Sequence, residues 1–413
     1  MLRHAVFFET LDRIQDETSP EWRSIFAGLV VLRLADDWLA FGPHVVTTDI
    51  TGLRSVRAAI DAVPDGHSAH SILLGAVKAI EEAESADIDI VAPHLMAYGT
   101  TLVYSGLWAL AIDAFEVVLE YGQQTQPCLP IAVEAAARIA SAKRQSGDLA
   151  GATVAYTFLR KLAEQTGDTK HRLTADHNFA KLAAARGDLP KAEQLLEEVI
   201  RAFPEQLRAD HPDFYSMVLH DQGDIARQRG QFEKAIRITY DALQITKSPR
   251  ERDYRLVNLA AMFFAQGSWQ IAQDAFLILM ATTQEANIRW LATLNLFEIS
   301  LLSERIDDFH RYRKELEAVE LPPFMRTHFY SVLGQGYSQQ NKPVQAKRAI
   351  QQAIALASAH GLNQQLFAAE QLLEKLEKQD TICRPTRSLP APASVNDIAV
   401  AITDLKTLAH AGS

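Results

Sequence analysis

Polar side chains recur at one position of a repeating unit, and their types suit contact with a polypeptide backbone. Seven predicted turns lie between residues 106 and 341, and nine residues before each turn stand Ala97, Arg138, Asn178, Asp221, Asn258, Asn295 and Val332. Three asparagines and one aspartate therefore fall in four consecutive units. A side-chain amide carries both a donor and an acceptor, so it can pair with a backbone N–H or a backbone C=O. One amide per unit could hold an extended segment without selecting its side chains.

Metal and catalytic motifs are poorly represented in the chain. The most suggestive histidine pair, His177 and His220, occupies the same position in neighbouring units but has no third ligand at a convincing spacing. The two cysteines, Cys128 and Cys383, are far apart and form no CxxC motif. A glycine-rich phosphate loop after a strand and a GxSxG motif are both absent from the sequence. We therefore expect no metal, no cofactor and no enzymatic activity.

The composition excludes several classes of partner. The chain has 413 residues, 48% of them hydrophobic, and a net charge of −10. An acidic chain is poorly suited to nucleic acid or to anionic membranes, because both attract positive charge. The most apolar stretch, Ile25 to Phe41, contains Arg33, Asp36 and Asp37 and is too short to cross a bilayer. The start of the chain lacks the long apolar run of a signal peptide, so we expect a cytoplasmic protein with protein or peptide partners.

The polar series lies on a repeating unit whose sequence predicts two amphipathic helices. Units spaced about 40 residues apart are typical of helix-pair repeats. Small residues recur seven before and five after each turn, and two helices can cross closely only where the side chains are small. The copy around Glu304 departs at both small positions, where Phe297 and Phe309 predict a wider crossing or a bend. The aligned turn positions are Gly106, Gly147, Gly187, Gly230, Gly267, Glu304 and Asn341.

The unit from Asp210 to Ala242 resembles a tetratricopeptide repeat. Its lead-in, Asp210-His211-Pro212-Asp213, is similar to the turn between repeats of the kinesin-light-chain type. The resemblance implies an all-α fold, a right-handed α-solenoid of helix-turn-helix repeats with an N-terminal helical bundle. It further implies that the first helix of each pair lines a concave groove, where Asn178, Asn258 and Asn295 hold a peptide.

The predicted peptide-binding site extends the amide series along one helical face. Positions 13, 9, 6 and 2 before each turn share that face, because they are separated by four, three and four residues. The alternative is that the asparagines only join neighbouring helices by hydrogen bonds. Replacing Asn258 and Asn295 with alanine distinguishes the two, since a binding role predicts weaker affinity at an unchanged melting temperature. The candidate peptide-binding residues are Arg138, Asn178, Lys181, Asp221, Asp224, Tyr254, Asn258, Asn295 and Glu298.

Four segments are expected from the chain order. Residues 1–90 form an N-terminal helical bundle, and residues 91–379 form about seven repeats and a capping helix. A Pro-rich linker, 380–393, precedes a C-terminal amphipathic helix, 394–413, in which Ser394 and Asp397 resemble a capping box. A helix this short is marginal alone. We therefore expect it to dock within the chain, either on the outside or in the groove as an autoinhibitory segment, or else to fray.

Two functions fit this organisation. The first is a non-enzymatic scaffold that binds a peptide or protein segment in the concave groove. The second is a peptide-responsive regulator, because a helical bundle followed by such repeats is similar in layout to Rap-type phosphatases and related quorum-sensing regulators. In that case the N-terminal bundle is the effector, and binding of a response regulator or DNA by residues 1–90 distinguishes the two functions.

Overall fold

The protein is all-α over the residues that its computed structural model describes, 3–44, 50–378 and 387–411. Cys383 and residues 380–386 of the predicted linker lie outside them. No helix in these ranges is long and apolar enough to cross a membrane. The helices, numbered in chain order, are α1 (Ala5–Arg13), α2 (Pro20–Phe41), α3 (Ile50–Asp61), α4 (Ser68–Glu82), α5 (Ile88–Tyr104), α6 (Trp108–Gly122), α7 (Leu129–Gln145), α8 (Leu149–Thr166), α9 (Thr169–Ala185), α10 (Leu189–Ala202), α11 (Glu205–Asp210), α12 (Pro212–Gln228), α13 (Phe232–Ile245), α14 (Pro249–Ala265), α15 (Trp269–Thr282), α16 (Ala286–Leu302), α17 (Ile306–Glu317), α18 (Pro323–Gln339), α19 (Pro343–Ala359), α20 (Asn363–Glu377) and α21 (Asn396–Ala411).

Two compact units divide the chain, Met1–Ala202 and Phe203–Ser413. In the first unit, α1 to α4 share one core with α5, α6 and one side of α7, and a second core joins α7, α8 and α9. In the second unit, one core extends from α12 to α19 and takes in α21. From α5 onward, consecutive helices pack as pairs within each unit. The predicted all-α solenoid of helix pairs is confirmed.

The aligned turn positions all have a left-handed backbone. Their φ angles range from 55° at Glu304 to 90° at Gly267. Glycine adopts this region without a steric penalty and asparagine tolerates it, which explains five glycines and Asn341. A left-handed residue ends the first helix of a pair and directs the chain into the second helix. The repeat register predicted from the sequence is therefore confirmed.

The small residues on either side of each turn allow the two helices of a pair to touch. A Cβ atom built on Gly334 would lie 2.5 Å from Cγ1 of Ile350 and 3.3 Å from the carbonyl oxygen of Ala346. At Gly223 the same atom would lie 2.6 Å from Oγ1 of Thr239. Real Cβ atoms do not approach other atoms this closely, so both pairs require glycine at the crossing.

The pair formed by α16 and α17 accommodates two large rings instead. Phe297 and Phe309 are buried and stacked, with their ring centroids 4.4 Å apart. Gly336 of the following pair makes room for the second ring, because a Cβ there would lie 2.2 Å from Cζ of Phe309. The aromatic stack thus replaces the small-residue contact at this crossing. The space that the Phe309 ring occupies is provided by Gly336 in the next pair.

The C-terminal helix α21 docks on the second unit, against α15, and the 3₁₀ turn Ala393–Val395 before it contacts α13. Both α13 and α15 are second helices of their pairs, so the docked helix lies on the outside and not on the predicted groove. The expected capping box is wrong. The hydroxyl of Ser394 donates to Glu233, and the helix begins only at Asn396, because a docking contact outweighs the local cap.

Candidate functional site

The first helices of successive pairs lie side by side in each unit, and we call the surface that they form the first-helix face. In the first unit, α7 contacts both α5 and α9. In the second unit, α14 contacts α12 and α16, and α16 also contacts α18. The candidate peptide-binding residues all belong to these helices, so each unit has its own first-helix face with its own set of candidates.

The second unit carries six of the candidates, two on each of three neighbouring helices. Asp221 and Asp224 lie on α12, Tyr254 and Asn258 on α14, and Asn295 and Glu298 on α16. All six side chains are partly buried. A partly buried polar side chain is held by its surroundings and still exposes atoms to a ligand.

Hydrogen bonds between neighbouring first helices use three of these six residues. The amide nitrogen of Asn258 lies 3.4 Å from Nε2 of His220, and Nδ2 of Asn287 donates to the Tyr254 hydroxyl at 3.0 Å. Glu298 pairs with Nε2 of His328 at 3.0 Å. Asn258 therefore joins two helices, as the alternative interpretation of the asparagines requires. Tyr254 and Glu298 have the same linking contacts.

Asn295 behaves differently from Asn258. Its Nδ2 donates to the carbonyl oxygen of Leu291, four residues earlier in the same helix, at 2.8 Å. This bond orients the amide without joining two helices. Asp224 is likewise bonded within its own helix, where it accepts from Arg227 and Gln228 at 2.7 Å each.

The first unit carries Arg138 on α7 and both Asn178 and Lys181 on α9. Asn178 repeats the geometry of Asn295, because its Nδ2 donates to the carbonyl oxygen of Thr174 at 2.8 Å. Arg138 is exposed, and its Nε donates to Glu134 at 2.8 Å. Lys181 is partly buried one turn after Asn178. The structure thus brings an arginine, an oriented amide and a lysine to one face.

A charged network joins α7 to the start of α9 on that face. His171 lies between two carboxylates, with Nε2 2.9 Å from Glu134 and Nδ1 2.7 Å from Asp168. The hydrogen bond from His171 lowers the pKa of Glu134 to about 2, with further lowering by Arg138 and opposition from burial. Burial lowers the pKa of His171, but its two carboxylate partners outweigh that effect and raise it. Both ring nitrogens of His171 can donate only when the imidazole is protonated, so this geometry favours a cationic His171 beside an anionic Glu134.

Sequence reasoning missed three residues of these interhelical links, His171, Asn287 and His328. His328 stands thirteen residues before Asn341, on the face already searched, so the position itself could have identified it. His171 and Asn287 lie three or four residues further from their turns, in the first turn of each helix. A search confined to four positions per unit does not reach them.

A buried guanidinium lies in α14 beneath the acidic part of the second unit's face. The side chain of Arg255 is only 6% exposed, and it pairs with Glu251 at 3.3 Å. Burial lowers the pKa of Arg255, while the charges of Glu251 and Asp221 oppose that effect. Asp221 therefore contributes negative charge that compensates a buried cation as well as facing the surface.

One group of potential metal ligands lies away from the first-helix faces. The ligand atoms of Asp87, Asp89 and Cys128 lie within 4.8 Å of one another. Burial raises the pKa of the Cys128 thiol, which donates to Asp87 at 3.5 Å. Because the thiolate is the metal ligand, this arrangement does not favour a metal centre.

Comparison with known proteins identifies the repeat. Residues 172–248, which span α9 to α13 almost completely, match the family model described as Tetratricopeptide repeat. The unit from Asp210 to Ala242 that carried the resemblance lies inside this match. No curated protein sequence matches the chain.

Several solved structures are similar to the chain at low identity. They include a tetratricopeptide repeat protein from Parabacteroides merdae (16% identity, TM-score 0.44, covering 68% of this chain and 98% of that one). The Rap conjugation gene regulator of plasmid pLS20 in complex with the Phr* peptide is also similar (12% identity, TM-score 0.45, covering 86% of this chain and 97% of that one). A Rap protein complexed with competence and sporulation factor has 10% identity and a TM-score of 0.47, and the match covers 85% of this chain and 98% of that one. Likeness at this level adds nothing about function.

Proposed function

Because the chain contains tetratricopeptide repeats, we propose that it is a non-enzymatic scaffold whose first-helix faces bind a peptide or an extended protein segment. In the second unit the bound segment contacts Asp221, Asp224 and Asn295. In the first unit a segment contacts Arg138, Asn178 and Lys181. The two faces are separate proposals, and either can be tested without the other.

The observation that supports this proposal most directly is the shared geometry of Asn178 and Asn295. Each amide donates to the carbonyl four residues earlier in its own helix. That bond fixes the rotamer while Oδ1 and the second N–H stay available to pair with a peptide backbone. A side chain that is already oriented loses little conformational freedom on binding, so more of its hydrogen-bond energy appears as affinity.

The charges indicate which segment the second unit prefers. Asp221 and Asp224 on α12 and Glu298 on α16 place three carboxylates on the first helices to either side of α14. Glu298 is paired with His328, and Asp224 with Arg227 in its own helix. A segment with lysine or arginine side chains can share these carboxylates, whereas an acidic segment is repelled. We therefore propose a ligand with a basic or neutral sequence for this face.

The proposal is tested by selecting peptides from a random display library on the immobilised full chain and measuring their affinity by fluorescence anisotropy. Asn295→Ala is expected to weaken a peptide bound at the second unit about fivefold, which is the factor for one lost hydrogen bond of about 1 kcal/mol. Gln351→Ala with Gln352→Ala is the matched control, since both amides are exposed on the second helix α19. Asn178→Ala applies the same test to the first unit.

The melting temperature separates binding from folding. Asn295→Ala removes no interhelical bond, so it should lower affinity without changing the melting temperature. Asn258→Ala removes a 3.4 Å contact between α12 and α14 and should affect both. If the selected peptides bind the Asn178 and Asn295 variants as tightly as the control variant, the first-helix faces are not the binding site.

A second candidate function is a peptide-responsive regulator with the N-terminal helices as effector. The favouring observation is that α1 to α4 share one core with α5 and α6, so a change in the repeats has a packed route to the bundle. Hydrogen exchange of α1 to α4 should then change when a selected peptide is added to the full chain. Unchanged exchange there, at saturating peptide, would leave the scaffold function alone.

A further inference from the structure

The helix α15 is apolar around almost its whole circumference, unlike the amphipathic second helices α10, α13 and α17. Its buried residues include Ala272, Ala275, Phe276 and Leu279, and also the polar residues Gln273 and Asp274. A helix of this kind needs cover on every side. The C-terminal segment 388–407 supplies the outer cover.

The apolar residues by which this segment is buried on the second unit are few and regularly spaced. Val395, Ile398, Ala399 and Ile402 are buried, with Ile398 and Ile402 fully inaccessible. On the opposite side of α21, Val400 is 51% exposed. The spacing of three and four residues is the pattern of an amphipathic helix laid in a groove.

Charged groups fix the direction of the docked helix. At its start, Asp397 accepts two hydrogen bonds from Arg237 of α13, at 2.9 and 3.0 Å. In its last turns, Nζ of Lys406 lies 2.7 Å from Asp274 of α15, whose side chain is only 8% exposed. An acid in the first turn and a lysine near the end also suit the helix dipole. The surface therefore selects an acidic start and a basic end.

The segment before α21 accepts a hydrogen bond from the N-terminus of α15, which has no side-chain cap of its own. Ser268 precedes α15 without a side-chain cap, and the hydroxyl of Ser388 accepts from the backbone N–H of Gln270 at 2.9 Å instead. The backbone N–H of Leu389 donates to the carbonyl oxygen of Gly267 at 2.9 Å. The outer surface of α13 and α15 thus has specific polar contacts for an incoming chain along its whole length.

We propose that the surface of α13 and α15 is a docking site for an amphipathic helix of a partner protein, and that residues 388–407 occupy it in competition. The partner helix carries an acid in its first turn, apolar residues three and four apart, and a lysine near its end. Four buried side chains and the partly buried Ala391 and Leu405 make the apolar contact that orders about twenty residues. The free energy of this apolar burial exceeds the cost of ordering by a small margin at most. Such an occupant can be exchanged.

The test uses full-length chains and a fluorescent peptide with the sequence of residues 387–407. In Ile398→Glu with Ile402→Glu the chain's own tail cannot dock, so this variant is expected to bind the peptide at least tenfold more tightly than the unaltered chain. Adding Arg237→Glu should weaken binding at least fivefold, and a peptide with Asp397→Arg should restore part of it. If the double variant does not fold, Asp397→Arg in the chain replaces it, because that change only weakens docking.

Two further peptides test the class of partner. A peptide of unrelated sequence that keeps the acidic, apolar and basic pattern should bind the tail-released chain, and one with the order of charges reversed should not. The proposal is overturned if a folded tail-released chain fails to bind the 387–407 peptide. It is also overturned if the unaltered chain binds that peptide equally well, or if reversing the charges has no effect.

Discussion

The stability of the first unit should fall as the pH rises from 6.5 to 9.5, because His4 is held as a cation between two carboxylates. Nε2 of His4 lies 2.8 Å from Asp36 of α2, and Nδ1 lies 2.5 Å from Asp113 of α6. Both ring nitrogens can donate only when the imidazole is protonated. Arg3 also faces the site, where it pairs with Asp36 and with Glu120.

The magnitude follows from the pKa of His4. Burial lowers this pKa, but the hydrogen bonds and charges of Asp113 and Asp36 outweigh burial and raise it from 6.5 to about 9. Since one pKa unit corresponds to about 1.4 kcal/mol, the cation stabilises the folded first unit by roughly 3 kcal/mol. A raised pKa means that this contribution is complete below pH 6.5 and is lost as the pH rises through about 9.

Hydrogen exchange of the α1 amides, corrected for the intrinsic rate at each pH, measures the free energy of opening. It should fall by roughly 3 kcal/mol between pH 6.5 and 9.5 in the unaltered chain. His4→Asn is the control, because asparagine is uncharged and tolerates the left-handed backbone at this position, where φ is 59°. A difference between the two chains that stays constant over this pH range would refute the assignment of a cationic His4.

Two further predictions concern packing and buried charge. Gly334→Ala should lower the free energy of unfolding of the second unit by about 1 to 3 kcal/mol, because its Cβ would lie 2.5 Å from Ile350. The control Gly66→Ala, whose Cβ meets no atom within 4 Å, should be neutral or slightly stabilising in the same urea titration. Equal effects of the two substitutions would contradict the close crossing. Arg255→Met should raise the melting temperature of the second unit by an amount equivalent to about 1 kcal/mol, because it removes a desolvated charge whose partner Glu251 is 44% exposed. A lower melting temperature would mean that the ion pair is net stabilising.

The repeat register could be predicted from the sequence because it depends on local constraints. A left-handed turn residue and, in every pair except α16 and α17, two small residues at the crossing follow from backbone sterics within a single pair of helices. Glu304 shows the strength of this requirement, since it takes a φ of 55° at a position where five of the other six pairs have glycine. The alignment that placed Glu304 in the series used only the spacing of its neighbours.

The roles of individual polar residues could not be predicted in the same way. Asn258 and Asn295 occupy the same position of their repeats, yet one contacts a neighbouring helix and the other its own helix. The difference arises from the neighbouring first helix, which presents His220 to Asn258. Such a contact depends on how two successive repeats pack, and the position within one repeat carries no information about it.

The docking of the C-terminal helix was predictable in kind but not in place. Its amphipathic pattern indicated a docked helix, while the local signal of a capping box at Ser394 was wrong. The surface that receives it is encoded far away, in the apolar circumference of α15 and in Arg237. A search for second helices without a polar face would have located it.

We propose that oriented amides on the first-helix faces hold the backbone of a bound segment. The most direct test is an N-methyl scan of a selected peptide, with the dissociation constant measured for each methylated position and for alanine at the same position. We predict positions where N-methylation weakens binding about tenfold although alanine does not, and where Asn295→Ala or Asn178→Ala removes most of that penalty. Affinity that depends only on the peptide's side chains, and is indifferent to N-methylation, would contradict the claim.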